Sequence, residues 1–118
     1  MRHFNPEWQN RPHKRGNPEA HLLLSVLKYL DLSGWYCGKV KVKGSFSKQG
    51  NFIMDRYLMR GLPDALAFKN GIMLAVETKS GKNTLTPDQI KFKEYFHNPP
   101  DRIYLEIRNI EEIQEIIK

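Results

Sequence analysis

A β-hairpin signal in the middle of the chain constrains the fold more than any other feature of the sequence. Two largely apolar segments, residues 64–68 and 72–79, flank Lys69-Asn70-Gly71, and Asn-Gly is a strong signal for a tight hairpin turn. Positions 72–76 are apolar throughout, which is typical of a strand covered on both faces. The sequence therefore predicts a hairpin whose second strand is central in its sheet.

Helix starts stand on either side of this hairpin. Asn17-Pro18 combines an N-cap side chain with a proline at the first helical position, before an apolar stripe at helical spacing. Thr86 begins a second helix that we expect to run to about His97. Asn109 begins a third, C-terminal helix.

Further strands are predicted over residues 35–43 and 102–108, and residues 44–61 predict a loop followed by a short strand or turn. The order is then helix, three strands, helix, strand and C-terminal helix. This order favours an α/β fold with a mixed central sheet flanked by helices. We expect a single domain over residues 17–118, preceded by a basic flexible arm over residues 1–16.

Charged residues stand at the end of the hairpin that is opposite to its turn. Asp64 opens the first strand, while Glu77 and Lys79 close the second and project from one face. Charges at the end of a buried hairpin cost free energy unless they are paired or used. Two carboxylates and an ammonium can hold a divalent metal ion against a phosphodiester. The alternative is a solvated cross-strand ion pair.

The donor types favour Mg²⁺ over zinc. Mg²⁺ prefers oxygen ligands and retains several waters, so its sites need two or three carboxylates with open positions. Asp64, Glu77 and Glu19 fit this need, and Lys79 can orient the attacking water or stabilise developing charge. Glu19 is expected on the core-facing stripe of the first helix, or else is a first-turn carboxylate favoured by the helix dipole. The histidines and Cys37 show no zinc-like spacing.

The net charge of +6 is concentrated in the first half of the chain. Residues 1–60 hold 11 Lys or Arg and 4 Asp or Glu, against 8 and 9 in residues 61–118. This asymmetry favours nucleic acid as a partner, although the same charge also keeps a small protein soluble. The single cysteine excludes an internal disulfide and favours a reducing, cytoplasmic compartment. We expect no membrane partner, because neither a signal peptide nor a run of about 20 apolar residues is visible.

Alternating lysines mark the strand predicted over residues 35–43. Lys39, Lys41 and Lys43 alternate with valines and would share one face of the strand. They are either a row of phosphate contacts or the lysines with which edge strands prevent aggregation.

Four separated pieces of the sequence occur in a fixed order: an early Glu19 in the first helix, Gly61-Leu62-Pro63-Asp64, Glu77-Thr78-Lys79 and Thr86-Pro87-Asp88-Gln89. In this order they resemble the virus-type replication-repair nuclease (VRR-NUC) domain, a branch of the PD-(D/E)XK nuclease superfamily. The resemblance covers about residues 17–118 and implies a PD-(D/E)XK nuclease-like core.

The resemblance also implies roles for individual residues. Asp64 and Glu77 would be metal ligands for Mg²⁺ or Mn²⁺, with the carbonyl of Thr78 as a backbone ligand and Glu19 as an accessory acid. Lys79 would be the catalytic lysine.

Gln89 matches the family glutamine that reaches toward the site, but Thr86-x-x-Gln89 is also a capping box. Phe92 and Phe96 share its helical face, which we expect to be largely core. Lys93, one turn on, is either a phosphate contact or a solvated lysine.

The activity implied by the resemblance is that of a metal-dependent endodeoxyribonuclease. Small stand-alone members of the family look like homodimers that cut branched DNA such as Holliday junctions, because two symmetric cuts need two active sites. Two alternatives remain open: a non-catalytic nucleic-acid-binding module, and a flap-cutting or sequence-specific PD-(D/E)XK nuclease.

Overall fold

A mixed β-sheet with helices on both faces forms the framework of the protein. The structure, a computed structural model, describes residues 17–40, 45–46, 52–53 and 57–117. The strands are β1 (Tyr36–Lys39), β2 (Ser45–Phe46), β3 (Phe52–Ile53), β4 (Ala65–Lys69), β5 (Ile72–Thr78) and β6 (Arg102–Ile107). The helices are α1 (Pro18–Leu32), α2 (Pro87–Phe96) and α3 (Ile110–Ile116).

The main sheet has four strands in the order β1-β4-β5-β6, so β5 is central as predicted. β1 and β5 are antiparallel to β4, whereas β6 runs parallel to β5 after the crossover through α2. Parallel pairing makes β5 and β6 end at the same edge of the sheet, with Thr78 opposite Ile107. The predicted order of helices and strands around a mixed sheet is therefore confirmed.

Local signals in the sequence explain where the elements begin and turn. The Asn17 side chain accepts a hydrogen bond from the Glu19 N–H (3.0 Å) and caps α1. Asn70 and Gly71 form the hairpin turn with positive φ angles of 51° and 79°, as expected for an Asn-Gly turn between twisted strands.

Two predictions about the region after α1 need correction. β1 ends at Lys39, so the strand expected to continue to residue 43 stops before Val40; Lys41 and Lys43 lie outside the described residues. β2 and β3 form a short antiparallel pair where a loop followed by a short strand or turn was expected. The arm predicted over residues 1–16 also lies outside the described residues.

The apolar core lies on one face of the sheet. Val26 and Leu30 of α1 and Ile113 of α3 are completely buried against Leu74 and Val76 of β5. Burying each such side chain contributes about 1.5–3 kcal/mol. This face therefore anchors α1 and α3 to the central strand.

The opposite face of the sheet is covered by α2. The Phe92 ring lies 6.1 Å from the Tyr104 ring of β6, between centroids. No residue of α2 is fully buried, and Phe92 and Phe96 are only half-buried. The expectation that they form a core face is wrong, because α2 is short and contacts little besides β6. Among the described residues, no helix has both the length and the apolar character needed to cross a membrane.

Candidate functional site

The β4–β5 hairpin brings two carboxylates together at the edge of the sheet. Its register pairs Ala65 with Val76, and the next position along places Asp64 beside Glu77. Because side chains alternate along a strand, Glu77 lies on the α2 face, opposite to the apolar core. Glu77 is only 3% exposed.

Thr78 fixes the position of the Asp64 carboxylate. The Thr78 N–H and hydroxyl both donate to Asp64 Oδ2, at 2.8 and 2.9 Å. The same hydroxyl lies 3.3 Å from the backbone carbonyl of Glu19, which it can reach as a shared donor. Thr78 thus connects the start of β4, the end of β5 and the first turn of α1.

The environment of Glu77 disfavours its charged form. Burial, a hydrogen bond with the Asp64 carboxyl and the negative charge of Asp64 together raise the pKa of Glu77 to about 8. Lys79 acts in the opposite direction, and the charge of Glu19 raises this pKa further. The neutral form of Glu77 is therefore favoured at neutral pH, and a bound cation would favour its charged form.

Gln89 forms the capping box of α2 and also contacts Glu77. Its Nε2 donates to Glu77 Oε1 (3.0 Å), and its own Oε1 accepts from the Thr86 N–H (2.9 Å). The Thr86 hydroxyl accepts from the Gln89 N–H (3.2 Å), which completes the capping box. The start of α2 is thereby coupled to a carboxylate of the site.

Gly61 allows the segment before Asp64 to contact the start of α2 closely. Its φ is +70°, and a Cβ built on it would lie 2.2 Å from the Asp88 carbonyl oxygen and 2.7 Å from the Gln89 nitrogen. A side chain there would both strain the backbone and push α2 away. The close contact between this segment and the start of α2 thus explains the glycine of Gly-x-Pro-Asp.

Lys79 lies one step beyond β5 and is buried, at 9% exposure. Its N–H donates to the Ile107 carbonyl (3.0 Å), which holds it beside the end of β6. Alternation places its side chain on the same face as Glu77, close enough for its charge to lower the pKa of that residue.

Glu19 reaches the edge of the site but is engaged by the loop after Lys79. Its Oε1 accepts hydrogen bonds from the Ser80 N–H (3.0 Å), the Ser80 hydroxyl (3.1 Å) and Asn83 Nδ2 (3.1 Å). The bond from Asn83, with those from Ser80, lowers the pKa of Glu19. Arg108 holds the other side of the same loop, donating to the carbonyls of Gly81 (3.0 Å) and Asn83 (2.6 Å).

The oxygen donors that converge most closely are therefore a pair rather than a triad of carboxylates. Within the segments that the structure describes, no group of three His, Cys, Asp or Glu side chains is placed to hold a metal ion. Asp64, Glu77 and the Thr78 carbonyl supply oxygen atoms only. Such a donor set suits a hard cation such as Mg²⁺ or Mn²⁺ and does not suit zinc.

Two of the lysines predicted to contact nucleic acid can be placed. Lys39 is exposed at the end of β1 and pairs with Ala65. Its side chain therefore leaves the sheet on the same face as Ala65, which is the core face and not the face of the carboxylates. Lys93 Nζ lies 5.9 Å from the centroid of the Tyr104 ring, a cation–π contact that the sequence did not predict. A phosphate contact by either lysine stays a prediction.

Two neighbours of the site were not predicted from the sequence. The Tyr104 hydroxyl is buried with no hydrogen-bond partner among the described residues, and burial with the charges of Glu77 and Asp64 raises its pKa. Arg60 lines an open cavity of about 610 Å³ together with Asp64 and Gln89. The β5–β6 register places Tyr104, and Arg60 lies in an irregular segment. Residues close in sequence indicate neither the register nor the course of that segment.

Comparison with known proteins identifies the fold. The sequence matches no protein-family model, and no curated protein matches it. A solved structure titled "VRR_NUC domain" superimposes with a TM-score of 0.60 at 17% sequence identity, covering 86% of this chain and 96% of that one. At this identity the likeness establishes the fold. The chain therefore has the fold of a VRR-NUC domain, the family that its separated motifs resemble.

Proposed function

We propose that the protein is a metal-dependent endodeoxyribonuclease. The observation that carries this proposal is the convergence of Asp64, Glu77, Lys79 and Gln89 at one edge of a sheet with the VRR-NUC fold. A stabilising ion pair would not need a second carboxyl, buried at Glu77, beside that of Asp64. Their cost in free energy is better explained by a cation that binds them during function.

Asp64, Glu77 and the carbonyl of Thr78 would hold the divalent ion, Mg²⁺ or Mn²⁺. When bound, such an ion neutralises phosphate charge and lowers the pKa of a coordinated water. Thr78 supports this role because its N–H and hydroxyl orient the Asp64 carboxylate. Gln89 keeps Glu77 Oε1 in position in the same way. Glu19 would act as an accessory acid, mainly by fixing the loop that follows Lys79.

Lys79 would act on the phosphate. Lys79 is largely buried beside the carboxyls, where the interaction of a charge with the substrate is stronger than in water. There it can orient the attacking water and stabilise the charge that develops on the phosphate oxygens.

DNA is the proposed substrate, and branched DNA such as a Holliday junction is the preferred form. The net charge of +6 supports a polyanionic partner. The preference for branched DNA and a homodimeric state rests on the resemblance to small stand-alone VRR-NUC proteins. Cleavage rates on four-way, flap and linear DNA, with the mass of the free protein in solution, test both.

The central test compares cleavage by wild type, Asp64→Asn and Lys79→Met with Mg²⁺ and with a chelator. Asn can still accept both hydrogen bonds from Thr78, so Asp64→Asn removes charge with little change in structure. We expect each variant to lose at least about 100-fold in rate, and the chelator to abolish cleavage.

Asp31→Asn and Lys28→Met are the matched controls, because both residues are exposed on α1. They should cleave at the wild-type rate. Equal rates in the wild type and both site variants would contradict the proposal, and salt-dependent DNA binding without any cleavage would favour a binding module instead.

A further inference from the structure

A second cavity adjoins the candidate site and is not used by the catalytic residues. Its volume is about 530 Å³, within the range of about 300–1,000 Å³ that is usual for ligand pockets. It shares Met59, Arg60 and Asp88 with the cavity that contains Asp64 and Gln89. This second cavity, called the α2 cavity below, is therefore continuous with the surface beside the candidate site.

One face of α2 forms the main wall of the α2 cavity. Asp88, Lys91, Phe92 and Tyr95 recur at the three- and four-residue spacing that places side chains on the same side of a helix. The segment that ends at Gly61 forms the facing wall, and its close contact with the start of α2 keeps the cavity next to the site.

The lining combines aromatic rings with cations. Phe92 and Phe96 stack with their ring centroids 5.5 Å apart, and both help to line the α2 cavity. Tyr95 also lines the cavity and is 78% exposed, so its ring is accessible to a ligand. Arg60, Lys91 and Arg102 also line it, against a single carboxylate from Asp88.

We propose that the α2 cavity binds one unpaired nucleobase next to the phosphodiester that is cleaved. The base would stack on Tyr95, and Arg60, Lys91 and Arg102 would contact the phosphates on either side of it. This ligand fits because a nucleobase is an aromatic ring attached to an anionic backbone, which matches rings bordered by cations. The inference rests on the proposed nuclease function, and it would make unpaired nucleotides the feature that the enzyme recognises in branched DNA.

The test is a double-mutant cycle that combines a substitution of Tyr95 with removal of the unpaired base. Binding is measured in a Lys79→Met background, with Mg²⁺ and a DNA duplex that carries one unpaired thymidine or an abasic residue at the same position. Loss of a base–aromatic stack weakens binding by about 5- to 150-fold. We expect this loss from removing the base and from Tyr95→Ala, and no further loss when both changes are combined.

Tyr36→Ala is the matched control, because Tyr36 is 80% exposed and lies on β1 near the turn end of the hairpin. Tyr36→Ala should leave the affinities for the thymidine DNA and the abasic DNA unchanged. Tyr95→Ala should change the affinity for a fully paired duplex by less than about twofold. Two results would overturn this inference and leave the nuclease proposal standing. One is that Tyr95→Ala still binds the thymidine DNA more tightly than the abasic DNA. The other is that Tyr95→Ala loses the same affinity for paired and unpaired DNA. Absence of binding to every DNA would overturn the nuclease proposal with it.

The cations give an independent measurement. If Lys91 contacts a phosphate, Lys91→Gln should reduce the slope of log affinity against log salt by about 0.7–0.9. Lys28→Gln, on an exposed position of α1, should leave the slope unchanged. An unchanged slope in Lys91→Gln would remove Lys91 from the proposed binding surface.

Discussion

Along β5, Leu74 and Val76 face α1, whereas Ala75 and Glu77 face α2. The first face buries aliphatic side chains completely. The second gathers a carboxyl pair, a lysine and a tyrosine hydroxyl that has no hydrogen-bond partner in the described part of the chain. Residues one position apart therefore belong to regions with opposite energetic character. The packed face stabilises the strand, and this stabilisation offsets the cost of crowding charges on the other face.

The difference predicts which substitutions alter stability and which alter chemistry. A change on the α1 face should unfold the protein, whereas a change of charge on the α2 face should preserve or increase stability while it removes function. Four substitutions test this separation, and they follow in order of expected size.

Leu74→Ala should have the largest effect on folding, lowering the free energy of unfolding by about 2–5 kcal/mol. Leu74 is completely buried beneath α1, so the substitution leaves a cavity in the core. Urea denaturation provides the measurement. Leu32→Ala is the control, at 88% exposure, and should shift stability by less than about 0.5 kcal/mol. Similar values for the two variants would remove the distinction between the faces.

Gly61→Ala should destabilise by about 1–3 kcal/mol, since a positive φ becomes strained and the new Cβ meets the backbone of α2. Because the displaced helix carries Gln89, DNA cleavage should also fall. Gly38→Ala is the matched control, because nothing lies within 4 Å of a Cβ at that position. Thermal unfolding and cleavage rates of both variants decide the matter, and a fully active Gly61→Ala would contradict our account of this glycine.

Glu77→Gln should change how stability depends on pH. In a chelator, the raised pKa of Glu77 means that its contribution to stability is complete below its ordinary pKa of 4.5 and is lost as pH rises through about 8. The loss cannot exceed about 1.4 kcal/mol per pH unit for one proton. Denaturation at several pH values should show a flatter profile for the variant and higher stability than wild type at pH 8. Added Mg²⁺ should stabilise wild type more than Glu77→Gln.

Glu115→Gln, exposed on α3, should retain the wild-type pH profile. If Glu77→Gln retained it as well, the two carboxyls would not repel each other in the folded protein.

Tyr104→Phe should have the smallest effect, leaving stability unchanged or raising it by up to about 1 kcal/mol. The hydroxyl is buried without a partner among the described residues, so its removal ends an uncompensated desolvation cost. Tyr29→Phe should have the opposite sign, because the Tyr29 hydroxyl donates to the Ile117 carbonyl (2.5 Å). Thermal denaturation distinguishes the two variants. A loss of stability in Tyr104→Phe as well as in Tyr29→Phe would indicate that the Tyr104 hydroxyl forms a stabilising hydrogen bond.

Much of the fold follows from interactions between residues that are close in sequence. The Asn70-Gly71 turn, the Asn17 cap and the Thr86 capping box were all predicted, because each depends on a few neighbouring residues. The contact between Gln89 and Glu77 agrees with what the resemblance to VRR-NUC domains implied for Gln89, and the capping box places this residue at the helix start.

Features that depend on distant packing could not be predicted. The bonds of Glu19 to Ser80 and Asn83 join residues more than 60 positions apart, and nothing local to Glu19 indicates them. Phe92 occupies a position with core spacing, yet it lines a cavity because α2 contacts little besides β6. The sheet register decides which side chains meet at the site, and that register is a property of the whole fold.

The tight β4–β5 turn has a consequence for the order in which the protein folds. Closing a two-residue turn requires little loss of chain entropy, and hairpins form within about 1–10 μs. Asp64 and Glu77 are therefore expected to meet early, whereas β6 can join only after α2 has crossed the sheet. The carboxyl pair would then form before the elements that hold it in place, and kinetics in the presence of Mg²⁺ would show whether the ion accelerates folding by binding this early hairpin.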